Sequence, residues 1–166
     1  MAAKAPISKE QDIRAKQLLL EAVQLNRELE STKSLSHSLN GLAEVNFQQG
    51  NFGEALKFFK ESIGLRIKLL DMNGLANSLN ALAVLVEQMG IEDHAVILEG
   101  ASTQIREKIG ASVAPAARSE NENFLIRLRE KLGREKFDTA WFDGQTMSQA
   151  QILALVHDLN ATAFRK

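Results

Sequence analysis

The chain has no cysteine, no tyrosine and only two prolines in 166 residues. The missing cysteine excludes disulfides, thiolate nucleophiles and sulfur-ligated metal sites, and fits a reducing compartment. Two prolines are too few for polyproline or long disordered stretches. Aromatic residues make up 5%, and strand-favouring side chains nowhere alternate with polar ones for long, so no half-buried strand is expected. Long apolar runs are missing too. No segment could span a bilayer, the start of the chain lacks the apolar core of a secretion signal, and a cytoplasmic location is expected. With 20 basic and 21 acidic residues, the chain has no field of one sign to gather nucleic acid or an anionic membrane. What remains, 45% apolar and 25% charged residues, suits an ordinary folded protein that is essentially all helix.

The strongest positive signal is an internal repeat. Ser38-Leu39-Asn40 returns as Ser78-Leu79-Asn80, a shift of about 40 residues, within the range of helical-repeat periods. At the same shift Leu42 and Ala43 meet Leu82 and Ala83, Gln48 and Gly50 meet Gln88 and Gly90, and Ala55 meets Ala95. Ser62, Arg66 and Lys68 then meet Ser102, Arg106 and Lys108. Carried backwards, the shift places Ala15, Leu18, Ala22, Leu25 and Leu29 on Ala55, Phe58, Ser62, Leu65 and Leu69. The first helix therefore matches a second helix of a repeat, and its own first-helix partner is missing.

Leu39, Leu42, Ala43 and Phe47, then Leu79, Leu82, Ala83 and Val86, have the spacing of one buried helical face. Gly50-Asn51 can reverse the chain into a second helix whose Ala55, Phe59, Ser62 and Ile63 face back. Such a pair cannot bury its apolar face alone and must stack on neighbours. The order Leu42, Ala43, Gly50, Phe52, Ala55, Phe59, Ser62 resembles the tetratricopeptide repeat. Asn46 stands where that family usually has tyrosine, and Glu92 and Glu99 replace aromatics in the second copy. The resemblance implies antiparallel helix pairs stacked as a short right-handed solenoid. It divides the chain into a flexible stretch at 1–8, a half repeat at 9–33, repeats at 34–73 and 74–112, and capping helices at 113–166.

In the last part Pro115 can open a helix with Phe124, Leu125, Leu128 and Leu132 on one face, and Gly133 stops it. Phe137 and Trp141 are one turn apart, and Ser148 with Gln151 forms a capping box before Ile152, Leu153, Val156 and Leu159. Leu132-Gly133, Phe137, Ala140-Trp141, Gly144, Met147-Ser148 and Ile152 resemble the carboxy-terminal end of large bacterial LuxR-type regulators and signalling ATPases. This implies that the chain is the terminal part of such a regulator.

No catalytic constellation emerges. His37, His94 and His157 lie far apart, without metal-ligand spacing. Gly100, Gly110 and Gly133 read as helix ends or interruptions, and no phosphate loop exists. The basic run Arg127, Arg129, Lys131, Arg134, Lys136 is broken by Glu130 and Glu135 and reads as a solvated face. No enzyme activity, cofactor or metal is expected.

The candidate site follows from the resemblance, which implies that first helices line a concave face. There His37, Asn40, Glu44, Phe47 and Gln48, with Asn77, Asn80, Glu87 and Gln88, would receive a protein or peptide. A small-molecule effector is the other ligand class such a superhelix could enclose. Changing both Asn40 and Asn80 to alanine is expected to weaken partner binding while leaving the melting temperature nearly unchanged. At the open end, Leu18, Leu19, Leu20, Val23 and Leu25 are too many apolar residues for one packed face. They predict self-association through the first helix, with Leu19→Glu giving a monomer, and cover by a missing upstream domain is the alternative.

Overall fold

The computed structural model describes residues 9–160. The stretch 1–8, expected to be flexible, and the chain from 161 onward lie outside the described residues. Within them eight helices pack as sequential antiparallel pairs. They are α1 (Lys9–Glu28), α2 (Thr32–Gln48), α3 (Phe52–Lys68), α4 (Met72–Gln88), α5 (Glu92–Ile109), α6 (Pro115–Leu132), α7 (Arg134–Thr146) and α8 (Gln149–Asp158).

The repeat read from side chains is also written in the backbone. Glu30, Leu70 and Gly110 end α1, α3 and α5 with φ of 52°, 54° and 64°. In each case the amide of the next residue closes the helix: Ser31, Asp71 and Ala111 donate to the carbonyls of Asn26, Arg66 and Arg106 at 2.9, 3.0 and 2.9 Å. This satisfies carbonyls that the helix end would leave orphaned. The first helices end alike at Gly50 and Gly90, with φ of 75° and 76°. Both helix types thus share this ending, and α1 shares it too.

Small residues bring each pair together. Ala43 and Ala55, then Ala83 and Ala95, are fully buried at the α2–α3 and α4–α5 crossings. Beside them Ser62 Oγ donates to the Ser36 carbonyl at 2.8 Å, and Ser102 Oγ donates to the Ala76 carbonyl at 2.9 Å. The following arginines repeat as well: Arg66 Nε donates to Ser62 Oγ and Arg106 Nη1 to Ser102 Oγ. α1 packs on α2 through Val23 and Leu19 against Leu39 and Leu42. Lys16 Nζ donates to Asn46 Oδ1 at 2.7 Å, which gives the buried asparagine in the tyrosine position a partner.

Beyond α5 the sequence period is lost, yet α6 still joins the row of first helices. Ser78 Oγ of α4 donates to Asn40 Oδ1 of α2 at 2.6 Å, and Asn80 Nδ2 of α4 donates to Asn121 Oδ1 of α6 at 3.2 Å. The same repeat position therefore bridges one first helix to its neighbour twice. α6 starts at Pro115 and stops before Gly133, as expected.

α7 and α8 lie against the second helices, α7 on α5 and α8 on α3. Gly100 does not interrupt a helix as the sequence suggested; it is buried in the middle of α5 and seats α7. A Cβ at Gly144 would stand 2.1 Å from the Ile97 carbonyl oxygen, and one at Gly100 would stand 2.8 Å from that of Trp141. Phe137 stacks on Trp141 with centroids 6.1 Å apart, and the capping box at Ser148 and Gln151 forms. Lys60 Nζ on α3 donates to the His157 carbonyl at 2.8 Å and to that of Leu159, placing a cation at the end of α8.

Two substitutions check this packing. Gly144→Ala puts a methyl into backbone, so unfolding free energy should fall by about 2 kcal/mol or more. A neutral or stabilising result in urea melts would show that α7 does not sit so close. Leu70 is exposed at a left-handed position, which costs a side-chain-bearing residue about 1–2 kcal/mol, while glycine brings about 0.5–1 kcal/mol of extra chain entropy. Leu70→Gly should therefore raise stability by up to about 1 kcal/mol, read from the same urea midpoint.

Candidate partner-binding face

The row α2, α4 and α6 borders a polar cavity of about 450 Å³. Glu44 comes from α2, Asn73, Asn77 and Asn80 from α4, Arg106 from the end of α5, and Asn121 from α6, with residues 112–114 closing one side. Three of the expected site residues, Glu44, Asn77 and Asn80, line it together. Asn77 Oδ1 accepts from Arg106 Nη2 at 2.9 Å.

The other expected residues are placed differently. His37, Gln48 and Gln88 are exposed but do not line this cavity. Phe47 is half-buried, tilted against Phe52 at 5.8 Å, and belongs to the packing of the first repeat. Glu87, at 5% exposure, is no groove residue: Lys131 reaches it at 3.1 Å and Arg127 at 3.6 Å, both from α6. It sits in the seam between α4 and α6. The basic run is for the same reason not simply a solvated face, since Arg129 also pairs with Asp138.

Asn40 and Asn80 are committed within the protein. Asn40 holds Ser78 and donates to Glu44 Oε1 at 2.6 Å. Asn80 Nδ2 donates to Glu99 Oε2 at 2.7 Å, and Asn121 Nδ2 donates to Glu99 Oε1 at 2.7 Å. Alanine at both asparagines is accordingly expected to lower stability, against the sequence expectation, because it takes Asn80 from the buried Glu99 carboxyl and Asn40 from the buried Ser78 hydroxyl.

Glu99, with 0% exposure, is the chief polar residue that the sequence reading left out of the site. Burial pushes its carboxyl above the ordinary range; the amides of Asn80 and Asn121 and the charge of Arg106 oppose the shift without cancelling it. The signal was present, because Glu99 replaces the fully buried Phe59 of the first repeat. Arg106 was visible as a repeated cation, whereas Asn121 lies beyond the period and carried no signal.

At the amino-terminal helix, the five apolar residues expected to form one contact divide. Val23 is buried against α2, and Leu19 lies against Gly41 of α2. Leu18, Leu20 and Leu25 are exposed. Leu19→Glu would thus damage the α1–α2 contact itself and cannot serve as a clean test of self-association.

Fold and face together define an all-helical repeat array with a polar cavity bordered by α2, α4 and α6. Residues 35–71, comprising most of α2, the Gly50 turn and α3, match the tetratricopeptide repeat. No curated protein and no solved structure matches the chain. Repeats of this type are usually non-catalytic and generally mediate protein–protein interactions. Among the described residues, no group of three acidic or imidazole side chains is placed to hold a metal ion, and no helix is long and apolar enough to cross a membrane.

Glu99 also predicts a pH dependence. Its folded-state value is raised, so the native state binds more protons than the unfolded chain, and stability falls as the pH rises above the ordinary carboxylate value. Glu99→Gln should flatten that slope and melt no lower than the parent near neutral pH, since one asparagine amide can flip to accept from it. Glu99→Ala should cost about 2–3 kcal/mol through unpaired amides. Thermal melts across pH would decide; an unchanged slope in Glu99→Gln assigns the dependence elsewhere.

Proposed function

We propose that this chain is a non-catalytic protein-interaction module whose ligand is a peptide segment bound in the cavity between α2, α4 and α6. The observation that supports the reading is the convergence of side chains from three successive first helices on one concavity. Asn73 and Asn77 are exposed there and offer amides to a peptide backbone. Arg106 offers a cation to an acidic side chain, and Glu44 sets an opposite charge at another part of the lining. The module acts in the cytoplasm as the carboxy-terminal regulatory part of a bacterial signalling or transcription regulator, the setting that the resemblance of its last helices implies.

A second reading is favoured by the cavity's size. About 450 Å³ falls within the range of small-molecule sites, roughly 300–1,000 Å³, so an effector sensor is the alternative. An array of extended peptides with acidic residues at varied positions, run beside a thermal-shift screen of small polar anions, separates the two. For the peptide reading, binders should lose about tenfold in affinity with Asn73→Ala/Asn77→Ala and again with Arg106→Gln. The first pair is exposed, so its melting temperature should stay close to the parent's. Peptide affinities untouched by both changes would refute this site, and shifts from small anions alone would turn the assignment to the sensor.

A further inference from the structure

α6 is held unevenly along its length. Its carboxy-terminal half carries Phe124 and Leu128, both buried, and Lys131 and Arg127 reach the buried Glu87 of α4 at 3.1 and 3.6 Å. Its amino-terminal half has no such hold. From 114 to 123 the sequence runs Ala-Pro-Ala-Ala-Arg-Ser-Glu-Asn-Glu-Asn, with no large apolar side chain to bury. Every residue of this stretch is exposed except Asn121, which is half-buried. The amino-terminal halves of α2 and α4 differ, since Leu39 in one and Leu75 and Leu79 in the other are fully buried.

Open space lies on both sides of this half. On the α4 side are the cavity of about 450 Å³ described above and a second of about 360 Å³ that extends to Val84 and Arg127. On the α5 side a third, of about 420 Å³, is lined by Thr103, Glu107 and Leu125. Asn121 lines all three. Its Nδ2 donates to Glu99 Oε1 of α5 at 2.7 Å, and its Oδ1 accepts from Asn80 Nδ2 of α4 at 3.2 Å. Arg118 Nη2 reaches the Val113 carbonyl at 3.4 Å, a contact inside the stretch that moves with it. The chain enters the stretch from α5 through Gly110, at φ of 64°.

We propose that residues 111–122 form a lid that lifts from α4 and α5 as a unit, turning between Gly110 and Phe124, with the Asn80–Glu99–Asn121 cluster as its latch. Lifting breaks the two bonds of Asn121, whose groups water then satisfies, and withdraws no large apolar side chain of the lid from the core, so opening costs far less than unfolding. Glu99 keeps Asn80 as a partner through Oε2 and is not stranded. Ser119, Asn121 and Asn123 are weak helix formers, which lets the helix bend before its anchor at Phe124. The rest of the cap stays in place, because the close backbone approach at Gly100 and Gly144 fixes α7 on α5 independently of α6. Lifted, the lid joins the three cavities into one trench and gates entry to it. Gating of a peptide rests on the function proposed above; the motion of the lid does not.

Hydrogen exchange of the full chain without ligand, read by mass spectrometry, tests the lid. Amides 119–122 should exchange about tenfold or more faster than amides 76–79, at the same turns of α4, and than amides 128–131 at the other end of α6. Asn121→Ala should speed 119–122 by about another tenfold while 76–79 and 137–144 keep the parent's rates. Because the chain has no cysteine, Ala81→Cys/Ala117→Cys, two positions that line one cavity, accepts a single short bismaleimide bridge, which should slow 119–122 to the rate of 76–79. Equal protection of 119–122 and 76–79 in the parent overturns the proposal. So does an Asn121→Ala effect spread evenly over α4 to α7, which makes the residue structural, or fast exchange that survives the bridge, which marks fraying of the helix end. Fast, bridge-sensitive exchange in a chain that binds none of the arrayed peptides keeps the lid and removes the peptide reading, and peptide binding beside a motionless α6 does the reverse.

Discussion

Close approach between the two helices of each pair is the constraint on which the rest depends. Ala43 against Ala55 and Ala83 against Ala95 leave room for the Ser62 and Ser102 hydroxyls to reach backbone carbonyls across the pair. A larger side chain at any of these places would separate the helices and strand a buried hydroxyl without its acceptor. Because each serine also receives the arginine one turn later, the crossing fixes where Arg66 and Arg106 stand. Arg66 then faces Asp71 at the start of α4, while Arg106 reaches the cavity. One packing rule, used twice, yields a structural cation in the first repeat and a cavity cation in the second.

The stacking between successive first helices is polar to an unusual degree, and that shapes the face. Asn40 and Ser78, then Asn80, Glu99 and Asn121, tie α2 to α4 and α4 to α6 and α5. Buried polar groups give little net stability but tolerate few alternative arrangements, since each misalignment leaves a desolvated group unpaired. The apolar contacts Phe124 and Leu128 hold α6 near the core, and the network with Lys131 and Glu87 determines its register. The cavity exists because α6 is held at this register.

The fold leaves two surfaces of different chemistry. The cavity between α2, α4 and α6 is lined by amides and by charges of both signs. The outer stripe of α1, with Leu18, Leu25 and Leu29, is apolar and exposed.

The sequence by itself determined the helices, their pairing and the turns between them. Those features depend on residues within a few turns of each other: the small residues and leucines at helical spacing, Gly50 and Gly90 at the reversals, and the Ser148 capping box. It also exposed the equivalence of α1 with α3 and α5, because equal local environments select equal side chains. Only tertiary structure decided which polar residues of the first helices are free. The partner of Asn80 is Asn121, that of Glu87 is Lys131, and that of Asn40 is Ser78; each lies about 40 residues away, beyond the reach of helical periodicity. For the same reason α1 was legible as amphipathic while the division of its leucines was not. Leu19 and Val23 face α2, and Leu18 and Leu25 face solvent, a choice made by where α2 packs and not by α1. Gly100 read as a helix end or interruption until α7 met α5, since a missing side chain acquires its meaning only from the backbone that fills its place.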